Sequence, residues 1–205
     1  MTADLIISYD GTPNDDDALA LGKLLAQTGS SVALAYVRHS KEFDPKREEL
    51  AQYDAEQRLE RGAELIGIPV TKHVVVGGGT GEGLGGLAEE LGASIIVFGS
   101  DYRTPLGRAE PGTSAQRLLE GGSAAIAVPF AGPVNDDARA TAGTLAGITG
   151  AEVVDANSSG IDLIVVGSRE GAPKGRVLVE GEVRNELNSA RSSVLVLPAE
   201  TRIEF

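Results

Sequence analysis

The sequence predicts an α/β protein with a parallel sheet and helices on both of its faces. Short apolar runs of strand length alternate with longer segments in which apolar residues recur at helical spacing. The run at residues 95–98 is wholly apolar, as expected for a strand that helices cover on both sides. Strands that alternate with helices are joined by right-handed crossovers, which place neighbouring strands parallel.

The predicted elements begin with a strand at residues 5–9 that ends in the turn Asp10-Gly11-Thr12-Pro13. Asn14 can cap a helix that runs to about Gln27, and Gly29 lies just beyond its end. The following elements are strand 32–37, helix 46–66, strand 69–76, helix 84–91, strand 94–98, helix 113–119 and strand 124–130.

The composition excludes several classes of function. A net charge of −12 argues against binding to nucleic acid or to an anionic membrane surface. It does not exclude an anionic ligand, since backbone N–H groups at a helix N-terminus can hold a phosphate. There are no cysteines for disulfides or thiolate metal sites. No apolar run reaches membrane-spanning length and the N-terminus lacks a signal-peptide pattern, so we expect a cytoplasmic protein.

The second part of the chain repeats the first at two offsets. An offset of 121 residues carries Asn14 onto Asn135, and offsets of 68 and 69 residues carry Gly99 onto Gly167 and Pro129 onto Pro198. The offsets differ by about fifty residues, which corresponds to the long helix, the third strand and the helix after it. We therefore predict a complete domain at residues 1–130 and a shortened, degenerate second copy at residues 131–205.

The strand at residues 124–130 falls in both copies, as the last strand of the first and the first strand of the second. A strand has only two lateral neighbours, so it cannot fill both positions completely. Either one sheet gives up a strand or another chain supplies one. A chance match between short apolar runs is the remaining alternative.

Two stretches carry a family pattern: residues 5–12, read as LIISYDGT, and residues 95–129, with Gly99-Ser100, Gly112-Thr113-Ser114 and a closing Ala-Val-Pro. In these stretches the chain resembles the universal stress protein family. The resemblance covers residues 3–130 well and residues 131–200 as a degenerate tandem copy. It implies the Rossmann-like fold of adenine-nucleotide-binding proteins. It also implies a homodimer, since this family commonly pairs last strands edge to edge.

The resemblance places a phosphate loop between Gly99 and the Gly112-Thr113 pair. Nucleotide-binding members read Gly, two residues, Gly, nine residues, Gly, then Ser or Thr; this chain keeps the length but has Tyr102 at the middle glycine. Gly112 lets phosphate approach the main chain, and Thr113 and Ser114 offer hydroxyl and N–H groups at a helix N-terminus.

The adenine is implied to lie near Asp10 and Thr12, at the end of the first strand, and near the Val37 backbone after the second. A carboxylate at Asp10 can accept from an adenine amino group or a ribose hydroxyl. Tyr102 either covers the phosphate path, folds outward or stacks on a base, and Arg103 can supply charge-assisted bonds to phosphates.

The second copy is expected to be structural. Ala131 stands where Asp10 stands in the first copy, and Glu180 and Glu182 flank Gly181 where phosphate would lie. Negative charge at that position disfavours phosphate binding.

Other polar residues are expected to have ordinary roles. Asp15, Asp16 and Asp17 complement the dipole of the first helix rather than form a metal cage, because successive helical positions point in different directions. His39 and His73 are single histidines without a catalytic or metal-binding spacing.

Two functions from different classes remain. The first is a stress-response or regulatory protein that binds ATP or AMP in the first copy, with Mg²⁺ only alongside ATP. No residue is placed as a general base for attack on the γ-phosphate, so at most slow ATP hydrolysis is expected. The alternative is a nucleotide-free interaction or structural module, which Tyr102, Ala131 and the Glu180/Glu182 pair favour.

Overall fold

The computed structural model describes residues 5–12, 15–101, 111–127, 136–153, 163–179 and 192–203. Within them seven strands form one sheet in the order β3-β2-β1-β4-β5-β7-β6. The strands are β1 Leu5–Ser8, β2 Val32–Arg38, β3 Thr71–Val76, β4 Ile95–Val97, β5 Ala125–Ala127, β6 Leu163–Gly167 and β7 Ser193–Leu197.

The α-helices of the described residues are α1 Asp15–Leu25, α2 Pro45–Ile66, α3 Thr80–Leu91, α4 Thr113–Leu118 and α5 Asp136–Thr149. Helix α2 begins where the sequence offers both a cap and a proline: the Asp44 side chain accepts from the Lys46 and Arg47 N–H groups at 3.0 Å. The helix ends at Ile66, and its C-cap Gly67 has a φ of 66°, a conformation that favours glycine. Among the residues that the structure describes, no helix is long and apolar enough to cross a bilayer.

Strands β3, β2, β1, β4 and β5 are parallel, which confirms the predicted Rossmann-like α/β fold. Strand β7 then pairs with β5 in the antiparallel direction, through Ile126 with Val196 and Ala127 with Leu195. Strand β6 pairs with β7 in parallel. Both edges of β5 are therefore occupied within one chain, so no strand of another chain is needed there.

The core lies on both faces of the sheet because side chains alternate along each strand. Ile6 packs into one layer with Leu84 of α3, whereas Ile7 packs into the other with Leu59 of α2. Ile6 and Ile7 are both 0% exposed. This two-sided burial explains why the central strands are apolar at successive positions and why helices flank both faces.

Helix α3 begins at Thr80, four residues earlier than the sequence predicts. Its first turn is rich in glycine, which lowers helix propensity, but the same glycines permit close packing. A Cβ on Gly81 would lie 2.7 Å from the Ser114 carbonyl oxygen, and one on Gly83 would lie 2.9 Å from Val37 Cγ1. Tertiary contact therefore favours a helix that local propensity disfavours. The predicted cap Asn14 lies outside the described residues.

Candidate functional site

A polar cleft of about 220 Å³ opens at the carboxyl ends of β1 and β2. Ligands of open parallel α/β sheets bind outside the carboxyl ends of the strands, so this is the expected place for a site. The cleft is lined by Ser8, Tyr9, Asp10, Thr12, Ala35, Tyr36, Val37, His39, Arg58 and Thr80. The structure thus brings together three residues that the sequence singled out, namely Asp10, Thr12 and Val37.

The turn after β1 is held by the carboxylate of Asp15, the first residue of α1. Asp15 Oδ2 accepts from the Thr12 N–H at 2.8 Å, the Asp10 N–H at 3.1 Å and the Thr12 hydroxyl at 3.1 Å. The Thr12 N–H also lies 3.1 Å from Asp10 Oδ1. Gly11, at the apex, has a φ of 84°, which only glycine adopts readily.

Asp15 is buried, with 7% of its surface exposed, whereas Asp10, Asp16 and Asp17 are exposed. Burial, followed by the hydrogen bond and the charge of the neighbouring Asp10 carboxyl, raises the pKa of Asp15 to about 6. The N–H groups of Thr12 and Asp10 act in the opposite direction. The sequence indicated an ordinary acidic first turn; it did not reveal that one of the three carboxylates is buried against the turn that lines the cleft.

Arg58 of α2 forms another wall of the cleft. Its Nη1 donates to the Asp10 carbonyl oxygen at 3.1 Å, and its guanidinium carbon lies 5.3 Å from the centre of the Tyr36 ring. Arg58 was not among the site residues predicted from the sequence. A signal was present, since Arg58 lies three residues after the buried Ala55 and next to the buried Leu59 on an amphipathic helix.

His39 also lines the cleft, although the sequence predicted no role for either histidine. His73 is remote in the chain and its Nε2 lies 3.1 Å from the Thr71 hydroxyl on β3. Nowhere in the described segments do three His, Asp or Glu side chains group as a metal site would require.

The two ends of the implied phosphate loop lie close together. Gly99 follows β4, Ser100 pairs with Pro111 in an isolated bridge, and Gly112 is the N-cap of α4. Tyr102 and Arg103 lie outside the described residues. A Cβ added to Gly112 would lie 3.8 Å from Asp101 Oδ2, so a carboxylate stands beside this glycine.

Gly99, Gly112, Thr113 and Ser114 do not line the cleft itself. The start of α4 nevertheless contacts the start of α3, through the close approach of Gly81 to the Ser114 carbonyl. Thr80, the residue before Gly81, lines the cleft. The beginning of α3 therefore connects the cleft with the start of α4.

A parallel α/β sheet with a polar cleft at the carboxyl ends of its first two strands defines a protein of the Rossmann-like α/β class. The family model described as the universal stress protein family matches residues 1–128, and the chain belongs to that family. No protein of curated function matched the chain at a significant level.

Solved structures share the fold over nearly the whole chain. A universal stress protein from Archaeoglobus fulgidus is 15% identical and aligns over 97% of this chain and 99% of its own, with a TM-score of 0.69. A functionally unknown protein from Pseudomonas aeruginosa is 14% identical and aligns over 96% of this chain and 93% of its own, with a TM-score of 0.63. At this identity the likeness establishes the fold alone.

Proposed function

We propose that this chain is a stress-response or regulatory protein that binds an adenine nucleotide, ATP or AMP, in the cleft and catalyses little or no reaction on it. The observation that carries the proposal is the meeting of Asp10, Thr12 and Val37 in one polar cleft. These are the positions that the family resemblance assigns to the nucleoside.

The strand geometry supports recognition of the base by the Val37 main chain. The Tyr9 N–H donates to the Ala35 carbonyl oxygen at 2.9 Å, so the main-chain polar groups of Ala35 face β1. Residues two apart in a strand point the same way, so the polar groups of Val37 face that side too. Strand β1 ends at Ser8, and the cleft lies beyond it. A base placed there would meet main-chain hydrogen-bonding groups.

The Asp10 carboxylate supports recognition of the ribose. It is exposed at the cleft and its backbone is held on two sides, by Asp15 at the N–H and by Arg58 at the carbonyl. A fixed carboxylate can accept from a ribose hydroxyl or an adenine amino group. The guanidinium of Arg58 and the His39 ring complete a polar rim around this position.

The phosphates are proposed to extend towards Gly112, Thr113 and Ser114, with Arg103 as a further cation and Tyr102 beside their path. Mg²⁺ would accompany ATP alone. The Asp101 carboxylate beside Gly112 opposes negative charge there, which favours fewer phosphates. It is also the observation that favours the second candidate, a nucleotide-free interaction or structural module.

The second part of the chain is proposed to be a shortened, degenerate copy of the first, with residues 1–130 as the complete domain. The offset of 69 residues equates Ile126 with Leu195 and Ala127 with Val196. The observed pairs are Ile126 with Val196 and Ala127 with Leu195, so each residue faces the equivalent of its neighbour. An antiparallel pair is what a two-fold axis between equivalent strands produces, and in this respect the direction of the β5–β7 pair supports the tandem interpretation.

The expected edge-to-edge contact between last strands is thus supplied inside the chain by β7. A homodimer stays a prediction, as does the cytoplasmic location.

Isothermal titration of ATP, ADP and AMP into nucleotide-stripped protein tests the proposal. We expect micromolar binding that Asp10→Ala weakens by roughly 10- to 100-fold, the value of one charge-assisted hydrogen bond. Asp17→Ala is the matched control, because Asp17 is an exposed carboxylate in the first turn of α1. Equal affinity in the wild type and Asp10→Ala would contradict the assigned site. Absence of heat at millimolar nucleotide would favour the interaction module.

A further inference from the structure

Two carboxylates of unequal exposure converge on the turn that forms the cleft wall. Asp15 Oδ2 and Asp10 Oδ1 both accept from the Thr12 N–H, at 2.8 and 3.1 Å. The same Asp15 oxygen also accepts from the Asp10 N–H and the Thr12 hydroxyl, each at 3.1 Å. One buried oxygen therefore ties together the two turn residues that line the cleft.

Among the described residues, the Asp15 side chain makes more hydrogen bonds to the turn after β1 than any other group does. Helix α1 starts at Asp15, whose N–H donates to the Thr12 carbonyl at 3.0 Å, so the turn and the helix close on each other. On the far side, Arg58 holds only the Asp10 carbonyl. The orientation of the Asp10 carboxylate in the cleft consequently depends on the Asp15 side chain.

We propose that Asp15 is a positioning residue of the nucleotide site, which holds Asp10 and Thr12 in the binding conformation and, by sharing a proton with Asp10, links nucleotide binding to pH. This inference rests on the proposed function, since it takes Asp10 to be the acceptor for the nucleoside.

The proton has a defined route. When Asp15 is protonated, its O–H donates to the Asp10 carboxylate, and an acceptor oxygen of Asp10 is then occupied. When the nucleotide binds, that proton leaves to the solvent and the Asp10 oxygen accepts a ligand hydroxyl instead. Burial and the nearby Asp10 raise the pKa of Asp15 to about 6, so the exchange falls within a readily accessible pH range.

We assign the pH dependence of nucleotide binding to Asp15 and Asp10 and not to the other titratable or charged groups around them. On α2, the Arg58 guanidinium donates to the Asp10 carbonyl oxygen, and the positive charge of Arg61 acts on the Tyr9 phenol. Burial, followed by the charge of Asp15, raises the pKa of the Tyr9 phenol above its usual 10.0, so this group stays neutral. Asp16 on α1 is exposed to solvent, and His39 lines the same cleft.

The test is AMP affinity measured by isothermal titration from pH 5.0 to 7.5 in the wild type and in Asp15→Asn. The titration of the AMP phosphate is common to both proteins and cancels in the ratio of their affinities. Asparagine keeps an acceptor for the turn, but its amide donates permanently to Asp10. The wild type is expected to bind about tenfold more tightly than Asp15→Asn at pH 7.5 and only about twofold more tightly at pH 5.0.

Two further variants make the result specific. Asp15→Ala removes the acceptor and is expected to bind more weakly than Asp15→Asn at every pH, which reports the positioning role. His39→Gln is expected to keep the wild-type pH step. A ratio of wild-type to Asp15→Asn affinity that stays constant with pH would overturn the inference while leaving the proposed function standing. Absence of binding of both AMP and ATP to the wild type at pH 7.5 would remove both.

Discussion

Asparagine at position 15 is expected to stabilise the protein at neutral pH. The pKa of Asp15 rises from 3.8 to about 6 on folding, a difference of about two units. Each unit corresponds to about 1.4 kcal/mol, so the ionised carboxylate costs ~3 kcal/mol of unfolding free energy at pH 7. Loss of a negative charge at the helix N-terminus removes up to ~1 kcal/mol from the gain. The net stabilisation is about 2 kcal/mol.

The sign of the effect fixes its pH dependence. A carboxyl with a raised folded-state pKa begins to destabilise the protein once the pH exceeds its unfolded-state pKa, and the cost is complete above its folded-state pKa. The gain from Asp15→Asn should therefore be absent below about pH 4 and complete above about pH 7. For a chain of this length, 2 kcal/mol corresponds to a rise of about 4–8 °C in melting temperature.

Thermal unfolding followed by circular dichroism at pH 4 and pH 7 measures this difference. Asp16→Asn is the matched control, because Asp16 occupies the next position of α1 but is exposed. It should lower the melting temperature slightly through the helix dipole alone. A melting temperature of Asp15→Asn at or below that of the wild type at pH 7 would refute the assigned cost of the buried carboxylate.

Three further substitutions test packing and charge. Gly22→Ala places a methyl group 2.7 Å from Cγ1 of the buried Ile7 and should lower the unfolding free energy, measured with denaturant, by about 1–3 kcal/mol. Gly86 lies on α3 with open space around it, so Gly86→Ala should raise the unfolding free energy by ~0.5–1 kcal/mol. Equal effects at both positions would contradict the packing of α1 on β1. The hydrogen bond from Arg38 lowers the pKa of Glu48, so Glu48→Gln should lower the melting temperature at pH 7 and lose that effect as the pH falls below about 4. A pH-independent difference would show that the ion pair contributes nothing.

The sequence predicted the parallel sheet correctly because the relevant signals are local. Successive apolar positions at residues 95–98 indicate a strand covered on both faces, and the end of α2 carries its own glycine. Helix α3 was placed too late because its packing against Ser114 and Val37 depends on elements distant in the chain. Its glycines lower helix propensity when considered alone, and only the tertiary contact reveals why they are tolerated.

The candidate site was predicted in part for the same reason. Asp10 and Thr12 belong to a recognisable turn at the end of a strand, so their place at the sheet edge follows from the sequence. Arg58 reaches the cleft from a helix 48 residues further along the chain. The burial of Asp15 depends on how the turn folds back over α1, and no composition or spacing rule separates it from the two exposed aspartates beside it.

The antiparallel junction between β5 and β7 has a consequence for how the protein can change over time. In an assembly of two identical chains, a substitution at such a junction appears on both sides at once. Here the two facing strands belong to one chain, so each side can vary separately while the chain keeps its partner attached. A substitution on one side of the junction therefore does not bring the same substitution to the other side.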